Sequence, residues 1–161
     1  MSTPIRTYAG RQMLTFKLGA EVFGVDILRV QEIRGWSPVT RIPMADRHVL
    51  GVLNLRGSVV PIVDLRLRFA LESAEYNALT VIIVLSVSGP AGPREVGVVV
   101  DAVSEVVDVS DDALREPPEL GDQSATDHIS GLLTVGQGMV ILLDVDQLVG
   151  SAPAPIRERA A

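Results

Sequence analysis

The sequence states one pattern twice, and that doubling limits what the chain can fold into more than any other feature. The segment Phe23-Gly24-Val25-Asp26-Ile27-Leu28-Arg29-Val30-Gln31-Glu32-Ile33 is echoed by residues 96–106, at an offset of 73. Residues 51–65 are echoed by residues 131–145, at an offset of 80. Both alignments are ungapped and occur in the same order. The period is too long for a solenoid and there are only two copies. Two similar subdomains with a seam between them are therefore expected, and positions where the copies differ become candidates for function.

At 161 residues the chain has the length of one domain, or of two small subdomains sharing a core. The apolar residues are mostly Val, Leu and Ile, with six aromatics in all, which favours strands. The absence of cysteine removes disulfides, thiolate metal sites and cysteine nucleophiles. No run reaches the roughly 18–20 apolar residues that span a bilayer, and Met1 to Tyr8 lacks the apolar core of a secretory signal. A soluble, cytoplasmic protein is the expectation. Charge is uneven: residues 1–70 carry ten basic and five acidic side chains, residues 71–161 four and fifteen. Such polarity suits steered association with charged partners, or is simply two solvated faces of opposite sign. Nucleic acid is disfavoured, since no basic cluster is interleaved with aromatics.

Leu14 to Leu18 alternates apolar and polar, and with Val22 to Val25 it predicts a hairpin turning at Gly19-Ala20-Glu21. Asp26 is placed to cap a short helical turn at residues 27–30, followed by an extended Gln31-Glu32-Ile33. Residues 49–55 and 58–65 read as a second hairpin with Arg56-Gly57 at its tip. Pro61 argues for an edge or bulge position. Thr80 to Leu85 is apolar enough to be covered on both faces, and its hairpin loop, residues 88–93, is long. Ser110-Asp111-Asp112 reads as the start of a short helix stopped by Pro117-Pro118. Residues 119–128 form an acidic loop and residues 139–145 a strand. Short strands punctuated by Gly and Pro indicate all-β barrels.

Catalytic chemistry is hard to find. His48 and His128 lack metal-ligand spacing and read as surface histidines. Residues 131–138 hold three glycines but no Gly-Lys-Ser/Thr ending, so hairpin geometry explains them better than a phosphate. Asp64 and Asp144 occupy equivalent repeat positions, which points to capping the end of each barrel's strand rather than to an acid pair. Ser58, Ser86 and Ser130 have neither an elbow motif nor a neighbouring base. A binding protein, not an enzyme, is the expectation, with no cofactor and no metal.

The copies differ most pointedly at one tip, where Arg56 of the first stands against Gly136 of the second. A guanidinium there is an interface anchor for carboxylates or carbonyls, or a charge that keeps the hairpin soluble; spacing alone does not choose. Glu32 is matched by Glu105, yet only the first copy has an arginine available to pair with it, and such a pair would fix how Arg56 is presented.

Across residues 13–149 the chain resembles the CheW family of bacterial chemotaxis coupling proteins. The resemblance rests on residues 24–35, on Val39-Thr40-Arg41-Ile42-Pro43, on Gly51-Val52-Leu53-Asn54-Leu55-Arg56-Gly57 and on residues 60–66. Residues 96–106 and Gly131-Leu132 add to it. It implies two five-stranded SH3-like β-barrels packed around a shared hydrophobic core, with short helical segments. The implied organisation is a tail at 1–12, one CheW-like domain at 13–150 (subdomains at about 13–78 and 79–150), and a second tail at 151–161. The implied role is an adaptor coupling the cytoplasmic tips of methyl-accepting chemoreceptors to the histidine kinase CheA, at membrane-associated arrays. Coupling in a non-flagellar chemosensory system is the alternative. Val30, Glu32, Gly51, Arg56 and Gly57 match motif positions tied to receptor or kinase binding, with the side unassigned.

Overall fold

The computed structural model describes residues 11–43, 49–69, 75–89, 92–117 and 128–149. The two expected tails (except residues 11 and 12), His48, residues 90–91 of the long hairpin loop, and all but His128 of the acidic 119–128 loop lie outside these residues.

Eleven strands are described: β1 Gln12–Leu18, β2 Glu21–Asp26, β3 Val30–Gly35, β4 Val49–Leu55, β5 Ser58–Asp64, β6 Val81–Gly89, β7 Gly92–Val100, β8 Ala102–Asp108, β9 Leu114–Arg115, β10 Ile129–Val135 and β11 Gly138–Leu143. Two short helices follow hairpins, α1 at Leu65–Arg68 and α2 at Val145–Val149. The strands form two sheets, ordered β8-β1-β2-β11-β10-β9 and β3-β6-β7-β5-β4. The all-β fold with two barrel-like units is the one expected, with the two-residue β9 as a sixth strand in the first sheet.

The sheets are not the two halves of the sequence. Hairpin β1–β2 leaves its own copy and joins the second copy, β2 running parallel to β11 with Gly24 opposite Leu142. Hairpin β6–β7 does the reverse, β7 running parallel to β5 with Gly97 opposite Ile62. Thus a division near residue 78 describes the repeat but not the sheets, which exchange hairpins reciprocally. The repeated glycines sit at the two parallel junctions, where a side chain would crowd its neighbour. A Cβ on Gly97 would lie 2.6 Å from Ile62 Cδ1, and one on Gly24 would lie 3.2 Å from Leu142 Cδ2. At each parallel junction the glycine leaves room for the side chain of its cross-strand partner.

Bulges and bridges obey the same symmetry. The β1/β8 register slips between Leu14 and Phe16, as β3/β6 slips between Val30 and Glu32. Thr15 is buried at the first slip, donating to the Glu105 carbonyl (2.6 Å) and accepting from the Glu105 amide (3.0 Å). The alternation of β1 therefore does not expose Thr15; its hydroxyl satisfies the bulged backbone. β9 crosses β10 at Leu132, and Thr40 makes the equivalent bridge to Val52 of β4.

Both faces of β6 are buried, as its unbroken apolar run required. Ile82 and Val84 fill the interior of the second sheet with Leu50, Leu55, Val60 and Ile62. Ile83, Leu85 and Val87 turn to a larger cluster shared with Leu14, Phe16, Leu18 and Val25 of the first sheet. A third cluster, around Met13, Leu133 and Leu142, fills the first sheet's own interior. The shared core is accordingly a layer between two separately filled barrels.

Three local features differ in whole or in part from the sequence expectation. β5 lies between β4 and β7, so the edge reading fails, whereas the β4/β5 register slip between Val49 and Gly51 lies one pair from Pro61. Opposite it, Val52 spends both backbone groups on Thr40 (2.8 and 2.9 Å), so proline's missing N–H leaves no ladder bond unmade. Residues 111–113 form a single 3₁₀ turn, and Ser110 makes no side-chain cap. His128 is half-buried and stacked on Phe69 at 5.0 Å, at the end of an aromatic series through Phe23 and Phe16, rather than a free surface histidine.

Candidate functional site

The turn between β4 and β5 has positive φ at both central residues, 54° at Arg56 and 87° at Gly57. That is the type I′ pattern, whose twist suits a two-residue hairpin and which favours Asn-Gly. Among the described residues Arg56 is the one non-glycine with positive φ. An L-residue there costs about 1 kcal/mol or more of backbone energy. The second copy avoids this cost: at its equivalent turn only Gly136 is positive, at 60°. Asn54 steadies the first turn by accepting from the Gly57 amide at 2.9 Å.

The Arg56 side chain reaches β3, where Nη1 donates to Glu32 Oε1 at 2.6 Å. Arg34, two residues along β3, donates to the other Glu32 oxygen at 3.1 Å. These bonds hold the Glu32 carboxyl below its ordinary range, Arg56 contributing most, and Glu32 in turn raises the Arg56 guanidinium. Arg56 remains mostly exposed beside the carboxylate it holds. Beside it lies a hollow of about 450 Å³, walled by Leu55, Val59, Val60, Arg94 and Glu95. Val59 is exposed, as is Ile33 on β3. Among the described residues β3 pairs only with β6, leaving its other side as a sheet edge.

Of the five residues singled out from sequence, Glu32, Arg56 and Gly57 belong to this end of the second sheet. Val30 lies two residues along β3, opposite Leu85, and packs half-buried against the shared cluster. Gly51 does not join them. It is buried five residues back along β4, and a Cβ there would sit 2.0 Å from the Thr40 carbonyl oxygen. Its visible task is to let Thr40 cross β4 and close the barrel. Gly131 meets the Arg115 carbonyl at the equivalent place in the other barrel, less closely (3.3 Å).

Sequence reasoning missed Val59 and Ile33. Both had a signal: in the repeat they align with Met139 and Val106, which are also exposed. The same kind of apolar surface thus recurs at the same place on each barrel, while the arginine occurs on one.

Asp64 and Asp144 prove structural, as their equivalence suggested. Asp64 accepts from the Arg66 amide at the start of α1, and Asp144 from the Gln147 amide at α2. Among the described residues no group of three His, Cys, Asp or Glu could hold a metal, and no helix is long and apolar enough to cross a membrane.

A family model described as "CheW-like domain" matches residues 12–152. The chain belongs to the CheW-like domain family. Its relatives include "Chemotaxis protein CheW" of Klebsiella aerogenes, 43% identical, the match covering 94% of this chain and 89% of the relative. The protein of the same name in Rhizobium meliloti is 39% identical, with 96% and 95% covered. A crystal structure of the "scaffolding protein TtCheW" from Thermoanaerobacter tengcongensis superposes with a TM-score of 0.74 at 27% identity, covering 83% of this chain and 88% of that one. This CheW-like chain therefore shares both the family's sequence pattern and its fold.

Proposed function

We propose that this chain is a non-catalytic chemotaxis adaptor. It couples the cytoplasmic tips of methyl-accepting chemoreceptors to the histidine kinase CheA and controls that kinase's autophosphorylation in a receptor array. Membership of the CheW-like family supports the scaffold role, the relatives being named for chemotaxis. The observation that carries the reading to particular residues is the Arg56 tip. A mostly exposed guanidinium is held in one orientation by Glu32, on a turn that costs backbone energy to keep an arginine. Beside it lie apolar Val59 and the hollow bounded by Arg94 and Glu95. Such a surface recognises a folded partner through one charged anchor and a small apolar contact. Modest interfaces of this kind gain strength when several are engaged at once.

Reconstituted receptor membranes with CheA test this. The parent chain should give receptor-dependent control of kinase autophosphorylation, and Arg56→Ala should lose most of it while its circular dichroism and unfolding midpoint stay near the parent's. Unchanged kinase control and unchanged receptor and kinase pull-down by Arg56→Ala would remove the tip from the binding surface. Failure of the parent chain to act on any receptor–kinase pair from its own cell would sink the adaptor reading itself.

A further inference from the structure

The reciprocal exchange of hairpins poses a recognition problem that the backbone does not solve. Each hairpin docks beside a hairpin-and-helix cradle, β1–β2 on β10–β11–α2 and β6–β7 on β4–β5–α1. The two parallel junctions have equivalent registers, with Gly24 on Leu142 and Gly97 on Ile62. By pairing alone, each hairpin would also fit the cradle of its own copy.

The charges at the two junctions are inverted. Arg29, just after β2, makes a two-pronged pair with Asp146 of α2 at 2.8 and 2.7 Å, and the Ser88 amide donates to the same carboxylate. Asp101, just after β7, accepts from Arg66 Nη1 of α1 at 3.0 Å. Arg66 and Asp146 are equivalent positions, the second residue of each helix, and Arg29 and Asp101 lie within one residue of equivalence. The first hairpin therefore brings a cation to an anionic cradle, and the second brings an anion to a cationic one. Asp64 does not blur this. Its oxygens are already taken by the Arg66 guanidinium and amide and by the Tyr76 hydroxyl, so the charge α1 turns to Asp101 is Arg66 Nη1, which also donates to the Glu75 carbonyl at 2.6 Å. Asp26 of the first hairpin is likewise held by Arg11.

We infer that this inverted pair of latches assigns each hairpin to the other copy's cradle. Docking within its own copy would set Arg29 against Arg66, and Asp101 against Asp146, in partly buried surroundings where like charges repel strongly. The discrimination comes from penalising the wrong partner as well as rewarding the right one. It goes beyond the adaptor role and stands or falls without it.

The chain's lack of cysteine allows a direct test. Val22 sits opposite Val140 in the observed junction, and the residue equivalent to Val140 in the first copy is Val60. Val22→Cys with Val140→Cys reports the observed docking after oxidative refolding of the full chain; Val22→Cys with Val60→Cys reports docking within the copy. With parental charges only the first pair should cross-link. Adding Arg29→Asp and Asp146→Arg keeps an ion pair but gives both latches the same polarity, and the 22–60 cross-link should rise at least tenfold. A 22–60 yield no higher than in the parental background, with 22–140 still forming, overturns the inference. If the reversed chain does not fold, Arg29→Gln with Asp146→Asn removes this latch more gently. It should raise the 22–60 yield by a smaller factor, and no rise overturns the inference equally.

Discussion

Arg56 and Gly51 show how differently two residues of one motif can serve. Arg56 holds a left-handed backbone conformation that glycine would adopt without steric cost, so Arg56→Gly should leave the hairpin as stable as the parent or up to about 1 kcal/mol more so. Thermal unfolding should show that gain while the proposed receptor coupling falls; loss of both together would mean the arginine is chiefly structural. Gly51→Ala should do the opposite. A Cβ placed 2.0 Å from the Thr40 oxygen, at φ 152°, forces the bridge off β4. A loss of roughly 2–3 kcal/mol is expected from urea unfolding. Sequence showed both residues as one motif. It could not separate them, because what decides Gly51 is a carbonyl arriving from eleven residues upstream. Glu32 with Arg56 was legible, since the repeat revealed the one copy able to make the pair.

At the level of elements, α1 is held by a buried network that the sequence displayed only as an aspartate before an arginine. Asp64 and Arg66 are almost wholly buried and joined by two contacts of 3.0 Å. The Tyr76 hydroxyl donates to Asp64 at 2.7 Å, and burial together with that bond pushes the phenol up to about 12. Arg66→Met would strand Asp64 as a buried anion, with a loss of about 3–5 kcal/mol in equilibrium unfolding. Tyr76→Phe removes one bond and should cost about 1.5 kcal/mol by the same measurement. The Arg29–Asp146 latch, more open to water, should show itself in pH dependence. The hydrogen bond from Arg29 holds the Asp146 carboxyl below its ordinary range. Its contribution is complete above the unfolded value of about 3.9 and is lost as pH falls through the lower folded value. The stability gap between the parent and Asp146→Asn should therefore be constant from pH 7 to about 5 and shrink towards pH 3. A gap that widens on acidification would contradict the pairing.

Over the whole molecule, strand content, the two hairpin tips, the capping aspartates and the doubled unit could all be read from sequence. Each rests on local spacing or on a repeat. The exchange could not, because a parallel junction leaves no turn signal and a glycine in a strand does not name the strand that will approach it. Charge polarity survives the exchange. Among the described residues, the strands and connections of the first sheet (11–29, 101–117 and 128–149) carry ten acidic and four basic side chains, whereas residues 30–100 carry four and six. Raising salt should accordingly weaken association with partners more than it weakens folding; a dissociation constant indifferent to salt would speak against steering. The parallel junctions also impose an order on synthesis. The second barrel has every strand once residue 100 is made, but β2 must wait for β11. Through most of translation the first hairpin is thus an apolar ribbon without its cradle, and the nascent chain must keep it from neighbouring ribosomes' products until about residue 143 emerges.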